Sequence, residues 1–277
     1  MAKVTAPFQI VGTLDNINFY VNDANTNIAR KKAESSMTNK KFKTLPSYHS
    51  ARMQNLELKH CSKISQIFRR ITLAFNKNAK EGSYVGRANA IFLHMVKEDQ
   101  NNERGYRLVT EGIKSKYGRE HLRGFESNKL RPLHKVLVNK KWTLNDHRFH
   151  FPECTMETDI DWPEEATHVT FNLAVANWNI EINHFTTNYA EPQFFVKTST
   201  PQDITITGTP PTDQDLHLTF LFIGFSKQQG SRHVPLHRKY NTATLIDYHY
   251  FPQHPDDNTP SSEEIPAENV LPPFSFS

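Results

Sequence analysis

Three carboxylates alternate along the segment ETDIDWPEE, at Glu157, Asp159 and Asp161. On a strand, alternate side chains share one face, and three carboxylates on one face could bind a hard cation such as calcium or hold a carboxylic acid beside an ionised partner. The segment lacks the glycine-turned ligand spacing of an EF-hand loop. An alternating polar strand face is usually solvated. We therefore expect a solvated strand face here, with cation binding as the alternative.

Histidine and cysteine offer a second chemistry, because both side chains bind zinc. His60 directly precedes Cys61, and His147 and His150 lie shortly before Cys154. A structural zinc site needs four ligands at recognisable spacing, and no CxxC pair accompanies either cysteine. Two distant cysteines also make a disulfide framework unlikely. The sequence predicts neither a metal nor another cofactor.

Motifs for nucleophilic or phosphate chemistry are missing from the sequence. It contains no GxSxG, GxxxxGK or GxGxxG pattern, and its 10 glycines in 277 residues leave little material for phosphate-binding loops. We expect a protein that is not an enzyme and has no catalytic residue.

The apolar segments of the chain are short. The N-terminal sequence lacks the apolar core of a secretory signal, and the longest apolar run, Leu218 to Phe225, is too short to cross a bilayer as a helix. The sequence predicts a soluble cytoplasmic protein that does not bind a membrane.

Charge divides the chain into two halves, although the net charge is only +4. Residues 1–141 contain 27 lysines and arginines against 11 acidic residues, a balance of +16; residues 142–277 contain 6 against 18, a balance of -12. A division of this kind indicates either a charged partner or a basic helical surface beside an acidic β region.

The N-terminal half begins with a predicted β-hairpin. Residues 16–32 alternate apolar and polar side chains, turn at NDANTN and end on three cations. An isolated two-stranded ribbon is marginal in water, so this hairpin must pack on the helices or on another chain. Apolar residues then recur every three or four positions from Met53 to Phe75, which predicts an amphipathic helix that starts near Pro46. A second helix is predicted from Val85 to Asp99, and the two should pack as a helical hairpin that covers their apolar stripes; a weaker helix is predicted after it.

From about His134 the apolar period changes to two. About eight short runs rich in β-branched and aromatic residues, without a helix between them, predict an antiparallel β-sandwich, with a hairpin turn at Gly230. The last segment is acidic and rich in proline, and it ends on Phe274 and Phe276. The predicted fold class is α+β, with four parts: a basic hairpin and link (1–45), a helical region (46–133), an antiparallel β-sandwich (134–251) and an acidic Pro-rich tail (252–277).

Several blocks of the sequence, taken in order, resemble those of a known protein family. The resemblance spans most of the chain, from Gly12 to about Ile246, and rests on the blocks GTLDNINFYVNDANTNIARKK, FKTLPSYHSARMQN, FRRI, NERGYRLV, LRGFESNKLRPLHKVL, WPEEATHVTFNL and LHLTFLFIGFSKQQGSRHVPLHRKYNTATLI. In this order they resemble a bacterial protein family common in Bacteroidota genomes, which has no assigned activity. The resemblance implies the layout of hairpin, helices and β domain and no catalytic residue. The family tends to stop near TATLIDY, so the acidic tail departs from its pattern.

The first functional hypothesis is an assembly or interaction protein. In this hypothesis the basic half of one copy meets the acidic sandwich or tail of another copy, or another protein, and the tail aromatics Phe274 and Phe276 anchor the contact. The predicted basic interaction residues are Arg30, Lys31, Lys32, Lys40, Lys41, Lys43, Arg69 and Arg70.

Two alternatives use the same residues or the β region. In the first, those cations bind the phosphates of a nucleic acid. The aromatic residues available to stack on its bases are Phe19, Tyr20, Phe42 and Tyr48. In the second, the sandwich binds carbohydrate through Trp162 or Trp178, although isolated strand tryptophans more often belong to a core.

Overall fold

The structure is a computed structural model that describes residues 2–4, 8–22, 26–32 and 39–252. The chain forms two compact units, Met1–Met53 and Gln54–Ser277. It contains helices and antiparallel sheets, which confirms the α+β class. The tail aromatics Phe274 and Phe276 lie outside the described residues.

The first unit contains a four-stranded antiparallel sheet, which we call the N-terminal sheet. Its strands β1 (Ala2–Lys3), β2 (Gly12–Leu14), β3 (Ile17–Val21) and β4 (Asn27–Lys31) lie in the order β1-β4-β3-β2. The pairing of β3 with β4 confirms the predicted hairpin, and the two further strands enlarge it. A short helix, α1 (Asn39–Thr44), follows the sheet.

Helices of the second unit follow the predicted apolar periodicity. The predicted first helix is divided at Thr72, whose φ of -115° and ψ of 53° are not helical, into α2 (His49–Ile71) and α3 (Leu73–Ala79). The second predicted helix is α4 (Tyr84–Met95). The weaker third segment forms only the short helices α5 (Val109–Gly112) and α6 (Lys116–Glu120). None of the helices in the described ranges has the length and apolar character needed to cross a membrane.

The β region forms two sheets. One has six strands, in which β7 (His168–Asn179) and β11 (Leu216–Gln229) pair along the middle. The strands beside them are β8 (His184–Tyr189), β9 (Gln193–Val196), β12 (Arg232–Pro235) and β13 (Thr242–Tyr250). The other sheet has three strands: β5 (Thr143–Asn145), β6 (Arg148–Cys154) and β10 (Gln202–Thr207). Gly230, with a φ of +60°, turns the chain between β11 and β12 and confirms the predicted hairpin.

Side chains of the six-stranded sheet alternate between two cores. On β7, Ala174, Ala176 and Trp178 pack with residues of α2, α3 and α4. Phe171 and Leu173 point to the other face and pack with β6 and β10 of the three-stranded sheet. The central strands of the six-stranded sheet, β7 and β11, are therefore covered on both faces by their own chain.

Two predicted strand segments are helical instead. The prediction of a strand at His134 is wrong, because α7 (Leu133–Val136) occupies this position. The prediction of a strand through Glu157 and Asp159 is also wrong, because these residues form α8 (Met156–Asp159). The Asp159 carboxylate accepts a hydrogen bond from the Thr155 N–H at 2.9 Å, and the Asp159 N–H donates to the Thr155 carbonyl at 2.8 Å. Local bonds of this kind compete with strand pairing.

Candidate functional site

The N-terminal sheet has one apolar face. Residues that lie opposite each other in an antiparallel sheet point to the same side, and alternate residues of a strand do so as well. The register places Leu14, Ile17 and Lys31 in one row and Phe19 beside Ala29 in the next. Val21 and Asn27 form a third row on the same side. We call the side formed by Leu14, Ile17, Phe19, Val21, Asn27, Ala29 and Lys31 the apolar face.

Much of the apolar face is accessible to solvent. Leu14 is 68% exposed and Ile17 is 43% exposed. Within residues 2–4, 8–22, 26–32 and 39–53, no apolar side chain is buried, whereas the second unit contains two buried clusters. The sheet therefore lacks a core of its own within the residues described.

Asn27 has an unusual position on this face. Its side chain is 7% exposed, and neither its amide nitrogen nor its amide oxygen has a hydrogen-bond partner. A buried polar group without a partner costs about 1–3 kcal/mol, so nearly all such groups are paired in folded proteins. The face thus offers one unpaired donor and one unpaired acceptor.

The predicted cations of the hairpin are divided between the two sides of the sheet. Lys31 lies on the apolar face, in the row of Leu14 and Ile17, whereas Arg30 pairs opposite Asn18 and points to the other side. Lys32 follows the strand and is exposed, and its N–H donates to the Asn16 carbonyl at 2.6 Å. The alternation of a strand prevents these three cations from forming one flat basic patch.

The next predicted cations lie on α1. Lys40, Lys41 and Lys43 are exposed there. The rings of Phe42 and Tyr48 contact each other, with centroids 5.8 Å apart. Both rings are half-buried, which makes them poor platforms for nucleic-acid bases.

The last two predicted cations belong to the second unit. Arg69 is half-buried, and its Nε donates to the Ser65 carbonyl at 3.1 Å. Arg70 is exposed in the last turn of α2. We therefore treat Arg69 as a residue bound to its own helix and Arg70 as a solvent-exposed cation.

The alternating carboxylates of the sequence do not share a face. Asp161 forms an ion pair with Arg131, and Asp159 bonds within α8. Glu157 is exposed and lines an open groove of about 610 Å³. The residues around this groove are His134, Lys135, Val138, Glu157, Ile160, Asp161, Trp162 and Lys197. Trp178 is fully buried, so carbohydrate binding by this residue is excluded.

Each residue considered as a zinc ligand has another partner or is buried. The His60 Nε2 accepts a hydrogen bond from the Val109 N–H at 3.1 Å, and the His150 Nδ1 lies 2.9 Å from the Thr205 hydroxyl. Burial raises the pKa of both Cys61 and Cys154 to about 12. Among the described residues, no three histidine, cysteine or acidic side chains are arranged to hold a metal ion.

The second unit also contains buried carboxylates that sequence patterns did not indicate. Glu57 on α2 accepts hydrogen bonds from the Gly105 N–H at 2.7 Å and from two nitrogens of Arg107. Burial would raise the pKa of Glu57, but these hydrogen bonds outweigh burial and lower it. In contrast, burial raises the pKa of Glu126 to about 7, although the Leu133 N–H and the charge of Arg87 oppose this shift.

Comparisons with protein-family models, with curated proteins and with solved structures found no match for this chain. The roles of its residues therefore depend on the geometry and charge described above. The apolar face of the N-terminal sheet combines the exposed side chains of Leu14 and Ile17 with the unpaired side-chain amide of Asn27.

Proposed function

We propose that this chain is a non-enzymatic assembly or interaction protein whose N-terminal sheet docks on a second copy of the same chain. One observation carries the proposal: the apolar face is exposed, and the described residues of the first unit contain no buried apolar side chain. Small sheets gain stability in water mainly by covering an apolar face. A partner would provide this cover.

Charge supports a second copy as the partner. Residues 1–53 carry a balance of +5 and residues 142–277 a balance of -12, so docking of the first unit of one copy on the β region or C-terminal segment of another brings opposite charges together. The second unit also presents carboxylates to solvent. The exposed ones include Glu153, Glu157, Glu164, Glu191, Asp203 and Asp213.

We further propose that the two sheets of the second unit form the β-sandwich that the sequence predicts. The three-stranded sheet shares a core with one face of the six-stranded sheet, and this supports the proposal. The N-terminal sheet of a second copy would then dock on a unit that consists of two packed sheets.

Light scattering on the purified full-length protein tests the proposal. Two salt concentrations, about 50 mM and about 500 mM, separate charge-dependent association from other association because salt screens exposed charges. Nuclease-treated and untreated samples separate self-association from nucleic-acid binding. We expect species larger than a monomer that persist after nuclease treatment and become smaller at high salt. A protein that is monomeric once nucleic acid is removed would contradict self-association.

Charge reversal identifies the surface involved. In the test variant, Arg30, Lys31 and Lys32 are each replaced by glutamate, and we expect the large species to be lost at low salt. In the matched control, glutamate replaces three exposed lysines of the second unit, Lys77, Lys116 and Lys129. This control changes the net charge by the same amount. Equal loss in both variants would indicate a general charge effect and not a docking surface.

A further inference from the structure

We propose that the apolar face of the N-terminal sheet receives the C-terminal segment, residues 253–277, of a second copy. This inference rests on the proposed function and specifies the partner surface. The acidic C-terminal segment, with Phe274 and Phe276, is then the ligand, and the N-terminal sheet, which carries Lys31, is its receptor.

The charges of the two segments match in size and are opposite in sign. Residues 1–53 contain eight lysines and arginines and three acidic residues, a balance of +5. Residues 253–277 contain no lysine or arginine and five carboxylates, a balance of -5. These carboxylates belong to Asp256, Asp257, Glu263, Glu264 and Glu268. Complementary charge of this kind favours the correct pairing and speeds the encounter.

The apolar face suits a segment with alternate aromatic residues. In its first row, Leu14 lies beside Ile17 and Ile17 lies beside Lys31, so a cation follows two apolar side chains across the sheet. The segment ends in FSFS, in which Phe274 and Phe276 would share one side of an added strand. If the segment instead crosses the face from β2 towards β4, its carboxylates would lie within reach of Lys31.

The edge of the sheet permits strand addition. Among the described strands, β2 pairs with β3 alone, so β2 is an edge strand. An extended peptide can add to such an edge through main-chain hydrogen bonds, while its alternate side chains enter the apolar face. Alternatively the peptide crosses the face itself and approaches Asn27.

Asn27 provides an independent indication of a ligand. Its side chain is more than nine-tenths buried and carries both an unpaired donor and an unpaired acceptor on the apolar face. A peptide backbone supplies one N–H and one C=O per residue, which are the two groups that Asn27 lacks. An apolar ligand alone would leave this amide unpaired.

Photo-crosslinking of the full-length protein tests the inference directly. The photoreactive amino acid p-benzoylphenylalanine replaces Phe276, and the protein is prepared both with ¹⁵N label and without it. After the two preparations are mixed and irradiated, mass spectrometry identifies the crosslinked peptides. We expect crosslinks to residues 12–21 or 27–31 that join a labelled copy to an unlabelled one. Crosslinks confined to the second unit, or only within one copy, would overturn the inference.

A matched pair of substitutions tests which face is used. Ile17, 43% exposed, lies on the apolar face, and Tyr20, 37% exposed, lies on the other side of the same strand. We expect Ile17→Ser to reduce the yield of intermolecular crosslinks about tenfold and Tyr20→Ser to change it less than about twofold. Phe274→Ser changes the segment itself, and its effect should equal that of Ile17→Ser. Equal effects of Ile17→Ser and Tyr20→Ser would contradict docking on the apolar face.

Light scattering on the same samples separates failure of this inference from failure of the proposed function. If the full-length protein still forms salt-sensitive assemblies but Phe276 crosslinks elsewhere, self-association stands and the C-terminal segment is not the ligand. If the nuclease-treated protein is monomeric and crosslinks only within one copy, both proposals fail.

Discussion

The six-stranded sheet of the second unit and the N-terminal sheet differ in how their faces are covered. The central strands β7 and β11 of the larger sheet are buried on both faces by the same chain, and Trp178 and Phe171, which point to opposite sides of β7, are each fully buried. On the N-terminal sheet, Leu14 is 68% and Ile17 is 43% exposed, and the side-chain amide of Asn27 has no hydrogen-bond partner. Burial of apolar surface is the main favourable contribution to folding. The second unit thus buries much apolar surface within its own chain, whereas the described part of the first unit buries no apolar side chain.

The largest expected effect concerns the helical core of the second unit. Phe68 is 1% exposed, and its ring contacts Phe92 and Phe125 at centroid distances of 5.4 Å. We expect Phe68→Ala to lower the free energy of unfolding by about 3–5 kcal/mol, because it removes a large buried ring and leaves a cavity. Urea unfolding at two protein concentrations measures this loss. As a control, Phe194→Ala removes a ring that is 65% exposed and should cost less than about 0.5 kcal/mol.

The dependence on protein concentration distinguishes the two units. Because the core of the second unit is intramolecular, the loss caused by Phe68→Ala should be the same at both protein concentrations. A loss below about 1 kcal/mol would mean that this core is not the main source of stability.

A somewhat smaller effect is expected at the buried ion pair between Glu57 and Arg107. The Arg107 Nε lies 2.7 Å from the Glu57 carboxylate, and the Gly105 N–H lies at the same distance. We expect Glu57→Ala to lower the free energy of unfolding by about 3 kcal/mol, because it leaves the Arg107 charge and the Gly105 N–H without their partner. Hydrogen exchange of the loop around Gly105 should increase as well. Glu103→Ala changes an exposed site in the same loop. It should leave the free energy of unfolding and the hydrogen exchange of the loop almost unchanged.

The third effect depends on pH and concerns Glu126. Its folded pKa of about 7 lies above the ordinary value of 4.5, so the folded state holds its proton more tightly than the unfolded state does. Its contribution to stability is therefore complete below about pH 4.5 and is lost as the pH rises through 7. We expect Glu126→Gln to stabilise the protein by about 2 kcal/mol at pH 8 and to have little effect at pH 4.5. Urea unfolding at both pH values measures the difference.

A matched variant controls for the loss of a carboxylate. Glu103→Gln changes an exposed side chain and should show no such pH dependence. If Glu126→Gln has the same effect at both pH values, Glu126 does not change its protonation in this range.

Sequence patterns predicted the long elements better than the short ones. Helix α2 and strand β7 place apolar residues at the period of their structure over many residues, so their core faces could be predicted from the sequence. Helices α7 and α8 depend on side-chain hydrogen bonds instead. The Leu133 N–H at the start of α7 donates to the Glu126 carboxylate at 2.8 Å, a contact between separate segments that periodicity does not encode.

The candidate site was predictable only in part. The cations of the hairpin and its β3–β4 pairing follow from the sequence, and the alternation of a strand also places Arg30 and Lys31 on opposite sides. The edge position of β2 and the burial of Asn27 depend on how four strands assemble, and no local pattern indicates them. The raised pKa of Glu126 has no sequence signal either, because it follows from burial in the folded chain.

The central claim is that the N-terminal sheet needs a second copy for its stability whereas the second unit does not. Hydrogen exchange of the nuclease-treated full-length protein, at about 1 µM and about 100 µM, tests it most directly, because binding stabilises a structure in proportion to partner concentration. We predict that amide protection in β3 and β4 rises with protein concentration, while protection in β7 and β11 stays the same. Equal protection of β3 and β4 at both concentrations would contradict the claim.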